Sequence, residues 1–257
     1  MRNIKLESEH RRDITEVCKR LYQKGFVASN DGNVSVRISD KEVLATPTGM
    51  SKGEITSSQL IKVDMNGEVI EGILKPSSEI KLHLHIYKSR PDVKSVVHAH
   101  PPISTGFAVA GIALDQMAIP EVIATLGTVP LAPYATPSTE ELAHTVDGYI
   151  QKCNAILLSN HGVVTVGGDV FSAYYTMERV EHSAYIIWVA RSLGGEKPLS
   201  QENINKLLEI RRKSEKNSSY TELNDEENVQ NDSLYNDEQG LAELIAKTIV
   251  DVLMEKQ

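Results

Sequence analysis

The chain has 257 residues, with 27 Lys and Arg against 35 Asp and Glu, for a net charge of −8. That balance excludes nonspecific nucleic-acid binding, which needs a cationic surface against phosphate. Two cysteines, Cys18 and Cys153, are too few for a disulfide framework, and no apolar run reaches the length of a membrane span. A reducing, cytoplasmic setting with no membrane contact is therefore expected. The opening residues, Met-Arg-Asn-Ile-Lys, carry no apolar segment and are not expected to act as a signal peptide.

Residues 8 to 25 read as a helix, with Ile14, Val17, Cys18, Leu21 and Tyr22 on one stripe and Gly25 as the stop. Cys18 on that stripe is a core residue by this reading. A polar loop, Ala28 to Asn33, precedes the alternating strand Val34 to Ile38. Its Gly32 and Asn33 suit either an ordinary turn or a backbone nest facing an anion. A second strand, Glu42 to Ala45, runs into Thr46-Pro-Thr-Gly49. Asn66-Gly67 between two short apolar segments is a hairpin signal. Pro76 stops the next strand, Ser77 or Ser78 can cap a helix, and Glu79 falls in its first turn, complementing the helix dipole or serving chemistry.

Lys94 to Pro102 reads as a strand ended by Pro101-Pro102. Residues two apart on a strand share a face, so His98 and His100 present two imidazoles together. His83 and His85 have the same sequence spacing but lie in a helical stretch, where i and i+2 diverge, so that pair is not expected to hold one metal ion. Helices are expected over Ile103 to Ala110 and from Ser138 to about Cys153. Ala155 to Ser159 reads as a buried strand, and Asn160-His161-Gly162 as the turn that follows it. Three histidines, His98, His100 and His161, plus the Glu79 carboxylate suit zinc or another imidazole-binding divalent ion. Asp169 caps a long helix to Leu193, with Trp188 expected in the core. Another helix runs from Ser200 to about Lys216. These elements define an α/β class with an antiparallel or mixed sheet.

Gly32-Asn33-Val-Ser-Val-Arg37, Thr46-Pro-Thr-Gly49, Ser77-Ser78-Glu79, His98-Ala-His100 and His161-Gly162 together resemble the motifs of the class II aldolase and adducin family, in order and spacing, over about residues 8 to 213. The resemblance implies a three-layer α-β-α domain with a central, mainly antiparallel sheet, assembled as a homotetramer. It implies one Zn2+ per subunit on His98, His100 and His161, with Glu79 as proton carrier and as a ligand when substrate is absent. It places a substrate phosphate on Gly32, Asn33, Thr48, Gly49, Ser77 and Ser78. The implied reaction is cleavage of a ketose 1-phosphate to dihydroxyacetone phosphate and an aldehyde, with L-fuculose 1-phosphate and L-lactaldehyde foremost. Rhamnulose and 5-deoxypentulose 1-phosphates, sugar-phosphate epimerisation, and a non-catalytic scaffold role like that of adducin are the alternatives. One departure is the stretch Ala118 to Val122, which has no tyrosine where fuculose aldolases carry a proton donor; Tyr134, in Ala-Pro-Tyr, is only a weak substitute and is expected to be structural.

The domain organisation read from composition is a catalytic region over 1–213, an acidic disordered linker over 214–237 and an amphipathic helix over 238–257. Residues 214–240 carry eight acidic side chains and one basic one. Beyond them Leu241, Leu244, Ile245, Thr248, Ile249, Val252 and Leu253 make a helical apolar stripe. This segment resembles the peptides that bind shell proteins of bacterial microcompartments. It is expected either to place the enzyme inside such a shell or to dock on its own tetramer.

Overall fold

The computed structural model describes residues 5–224. An eight-stranded sheet runs through its middle, in the order β4-β3-β2-β1-β5-β8-β7-β6. The strands are β1 (Asn33–Arg37), β2 (Glu42–Ala45), β3 (Ile61–Asp64), β4 (Val69–Glu71), β5 (Ser95–Ala99), β6 (Leu131–Ala132), β7 (Ala155–Leu158) and β8 (Gly162–Gly167). Every neighbouring pair is antiparallel except β6 and β7. The strand carrying His98 is thus held between β1 and β8 by a ladder on each side.

Alternation along the strands sends side chains into two separate cores. Val34, Val36, Leu44, Val97, Leu157 and Val163 face one side. There they pack with α1 (Glu7–Gln23), α3 (Pro102–Val109) and α7 (Val170–Ser192). Val43, Val96, Ile156, Leu158, Val164 and Val166 face the other, against α2 (Ile80–Ser89), α5 (Glu140–His144) and α6 (Asp147–Ile150). The result is the three-layer α-β-α arrangement with a largely antiparallel sheet. A satellite cluster joins Ile123 of α4 (Pro120–Thr125) to Ile204 and Leu207 of α8 (Gln201–Asn224).

Local chemistry explains the elements. Asp169 accepts the Ser172 N–H at 2.9 Å and the Ser172 hydroxyl reaches back, a reciprocal cap that starts α7. Gly25 takes a positive φ of 70° and lets the chain leave α1. The single helix expected over 138–153 is instead two short ones. The Thr145 hydroxyl bonds the Leu142 carbonyl at 2.8 Å, and Thr145-Val146 and Gly148 are poor helix formers at the break. Trp188 is half exposed on the outer face of α7, not in the core. The helix α8 continues through Asn224, past the end expected near Lys216; once a helix is nucleated, each further residue adds a hydrogen bond even in polar sequence. The rest of the expected linker and the whole segment 238–257 lie outside the described residues.

Cys18 is fully buried, and burial pushes its thiol up to about 12, as befits a core residue. His83 is buried too, and the Ser35 hydroxyl bridges its Nδ1 at 2.7 Å and the Tyr87 hydroxyl at 2.8 Å. Burial drives this imidazole down to about 4. Between that value and the ordinary 6.5 the unfolded chain takes a proton that the folded chain refuses. Stability at His83 is therefore complete above about pH 6.5 and is lost as pH falls toward 4, by about 3 kcal/mol in all. NMR titration of the ring nitrogens is expected to find His83 neutral at pH 5, where an exposed histidine is protonated.

Candidate metal centre

The site forms where three strand ends and one helix start meet. His98 and His100 leave the end of β5 on the face covered by α2. His98 is fully buried, and its Nδ1–H donates to the Val163 carbonyl of β8 at 2.9 Å. That bond fixes the tautomer and turns the Nε2 lone pair inward. The Nε2 atoms of His98 and His100 lie 3.1 Å apart. His161 stands on the β7–β8 turn, where Asn160 adopts the left-handed conformation at φ 55°. The three imidazole centroids are 4.7–5.1 Å from one another. One ligand nitrogen from each falls within a common 4.8 Å span.

Glu79 closes the group from the opposite side. It occupies the N-cap of α2, one position before the first turn in which the sequence placed it, and Ser77 Oγ accepts its N–H at 3.3 Å. Its carboxylate lies 3.2 Å from His98 Nε2 and 3.1 Å from His161 Nε2. Asn33, directly across the ladder from His98, donates its amide to Glu79 at 2.8 Å. Burial alone would raise the Glu79 carboxyl; the imidazoles of His98 and His161 and the Asn33 amide outweigh it and hold the group ionised, well below the usual carboxylate range. Burial drives His98 and His100 toward the neutral form in which an imidazole can ligate.

The donor set fits a divalent ion. Three imidazoles and a carboxylate converge from rigid elements, as zinc-type coordination demands. Room is kept by Gly162, because a Cβ there would stand 2.5 Å from His100 Cδ2 and 2.6 Å from the Ala99 carbonyl. Asp31 lies 3.6 Å from His100 Nδ1, on the far side of that ring. His161 Nδ1 is buried with no hydrogen-bond partner among the described residues.

The residues expected to hold phosphate line three loops beside this cluster. Thr48 donates its N–H to the Lys75 carbonyl at 3.0 Å, and Pro47 bridges Pro76, which sets the Thr46–Gly49 loop beside Ser77 and Ser78. Gly49 has open space around it, and Gly32 passes so close to β5 that a Cβ would stand 2.9 Å from the His98 carbonyl. Asn33 lies 3.4 Å from Ser77 Oγ, but its shorter bond is the one to Glu79. The Ser138 hydroxyl donates to Ser78. Tyr134, the substitute proton donor suggested by sequence, is exposed.

Two supporting residues were not singled out by sequence. Glu181 of α7 is buried and accepts the backbone N–H groups of Ile103 and Ser104, each at 2.8 Å, and the Ser104 hydroxyl at 2.7 Å. It clamps the Pro101-Pro102 corner directly after His100. Its place on the stripe between Met177 and Ala184 was the available signal. Lys52 is buried and donates to the carbonyls of Asn30, at 3.0 Å, and Met50, at 2.8 Å, tying two of the loops together.

Comparison with known proteins agrees with the fold. The profile of the Class II Aldolase and Adducin N-terminal domain family matches residues 12–188. The chain is 32% identical over 212 residues to the 3-oxo-tetronate 4-phosphate decarboxylase of Escherichia coli K12, covering 80% of this chain and 97% of the relative. It is 34% identical over 187 residues to the L-fuculose phosphate aldolase of Methanococcus maripaludis (strain S2), covering 70% and 99%. A solved structure of L-fuculose 1-phosphate aldolase superposes with a TM-score of 0.74 at 29% identity, covering 80% of this chain and 98% of that one. A mixed α/β layer fold of this kind defines the class, and the chain belongs to the class II aldolase and adducin N-terminal domain family.

Gly162→Ala is expected to push His100 or the end of β5 out of place. The overpacking should cost about 1–3 kcal/mol in unfolding free energy. Metal retention after dialysis against a weak chelator, compared with wild type, should fall together with that stability.

Proposed function

We propose that the chain is a metal-dependent lyase that cleaves a ketose 1-phosphate, L-fuculose 1-phosphate foremost, into dihydroxyacetone phosphate and an aldehyde. The observation that carries this reading is the largely shielded Glu79 carboxylate, set 3.2 Å from His98 Nε2 and 3.1 Å from His161 Nε2. A divalent ion, Zn2+ by the donor set, would be held by His98, His100 and His161 and would supply Lewis-acid polarisation of the ketone oxygen. Glu79 is then the group able to move a proton. Breaking the bond between the carbonyl-bearing fragment and the aldehyde carbon leaves an electron pair on the former, delocalised as an enediolate. Glu79 takes the hydroxyl proton as the aldehyde forms and returns one to carbon afterwards. Asn33 orients Glu79 for both tasks. The small residues Gly32 and Gly49 and the hydroxyls of Thr48, Ser77 and Ser78 offer backbone and side-chain donors to the phosphate.

A second reading is favoured by the decarboxylase relatives. Loss of CO2 from a 3-oxo acid carrying a terminal phosphate would leave the same kind of enediolate in the same place, and the proton that carbon then needs would come from water, relayed by Glu79. Residues 238–257 fit a segment that docks on another protein, in keeping with placement of the enzyme in a microcompartment. A homotetramer is part of the same proposal.

Glu79→Gln keeps the shape of the side chain and removes the base. Turnover is expected to fall by about 10²–10⁴ with metal content largely kept; near-normal turnover would show that another group moves the proton.

Substrate choice is read by supplying L-fuculose 1-phosphate, L-rhamnulose 1-phosphate, a 5-deoxypentulose 1-phosphate and 3-oxo-tetronate 4-phosphate in parallel. Dihydroxyacetone phosphate is followed by coupled NADH oxidation and CO2 separately. Fastest release of dihydroxyacetone phosphate with L-lactaldehyde is expected. CO2 release from the oxo acid with no aldehyde from any sugar phosphate would establish the second reading instead.

A further inference from the structure

Between one and two turns along α2 from Glu79, a second group of potential ligands converges outside the centre described above. His85 from α2, His144 from the last turn of α5 and Asp147 from the first turn of α6 each offer one ligand atom within a common 4.8 Å span. The two oxygens of Asp147 face different imidazoles. Oδ1 meets His85 Nε2, and Oδ2 lies 3.1 Å from His144 Nδ1. The rings stand edge to face with centroids 4.7 Å apart.

The three helices that carry these groups are fixed independently of them. Leu82 and Ile86 of α2 share an apolar core with Leu142 of α5 and Ile150 of α6. Arg90 donates to the Ile150 carbonyl at 2.7 Å, and Gln151 to the Ser89 carbonyl at 2.9 Å, joining the end of α2 to that of α6. At the other end Lys81 pairs with Glu140 at 2.6 Å. The ligand atoms therefore need no rearrangement to converge, which is the expensive part of building a metal site. His144 and Asp147 are exposed, leaving room for water to complete a coordination shell.

We propose that His85, His144 and Asp147 form a second binding site for an imidazole-binding divalent cation of the Zn2+, Ni2+ or Cu2+ class, clipping α2 to the α5–α6 pair. Two imidazoles and one carboxylate select these ions over Mg2+ and Ca2+, which prefer all-oxygen shells. Three protein ligands at an open surface bind less tightly than the enclosed group at His98. A hydrogen-bonded triad with no metal function is the competing account, and it predicts no second equivalent of bound ion.

The test uses tag-free, chelator-stripped full-length protein titrated with Zn2+ by equilibrium dialysis. Wild type is expected to bind two ions per chain, the second at least tenfold more weakly. His144→Ala and Asp147→Asn should bind one, and His98→Ala or His100→Ala should keep only the weaker one. Zn2+ should raise the thermal midpoint of His98→Ala but not of the His98→Ala, His144→Ala double variant. A single ion per chain in wild type, lost in His98→Ala and unaffected by His144→Ala, overturns the second site and leaves the proposed lyase chemistry standing. An ion kept in His98→Ala and lost in His144→Ala upholds the second site and removes the metal from that chemistry.

Discussion

The hydrogen bond from His98 Nδ1 to the Val163 carbonyl is the contact on which the rest of the centre turns. It joins the middle strand to its neighbour through a side chain as well as through the backbone ladder. A buried imidazole with both nitrogens engaged cannot rotate, and an imidazole that cannot rotate sets the position of everything facing it. His100, Glu79 and His161 come from a strand end, a helix cap and a turn, which share no covalent constraint. What they share is proximity to that one fixed ring. Burying such a collection is costly unless opposite charge or an ion compensates. The Glu79 carboxylate is the charge in that collection, and the Asn33 amide that donates to it offsets part of the cost of shielding it.

Support extends outward in layers of ordinary chemistry. Glu181 takes the N–H groups of Ile103 and Ser104 where α3 begins, so the chain turns immediately after His100 with those two donors met. Lys52 gathers two carbonyls from separate loops, much as a small cation would. Neither residue faces the imidazoles. Both tie together the chain segments around the imidazoles.

Much of this was legible in the sequence because the signals were local. The apolar runs in Ser95 to Ala99 and in Ala155 to Leu158, each ended by a turn signal, mark strands whichever way the rest packs, and His-x-His on a strand puts both rings on one face. Glu79 was legible from Pro76 and the serines before it. What escaped had nonlocal causes. Glu181 earns its role from backbone groups nearly eighty residues earlier, and His85 from helices about sixty residues later. The break between α5 and α6 turns on a hydroxyl competing for one carbonyl, a choice that apolar periodicity does not record. Trp188 followed helical spacing closely enough to suggest burial, yet the stripe that α7 presents to the sheet is narrower than its apolar content.

The two margins of the sheet are unusually brief. One is closed by the three exposed residues of β4, of which Glu71 is bound to Arg11 and Lys62; the other by the two residues of β6. A strand that short offers an incoming chain almost no row of free N–H and C=O groups to copy. Growth of the sheet by strand addition is therefore disfavoured at both of these margins, which guards against runaway polymerisation. The outer face of α7, by contrast, presents the exposed rings of Tyr185 and Trp188, a surface that is read by side chains and not by backbone pairing.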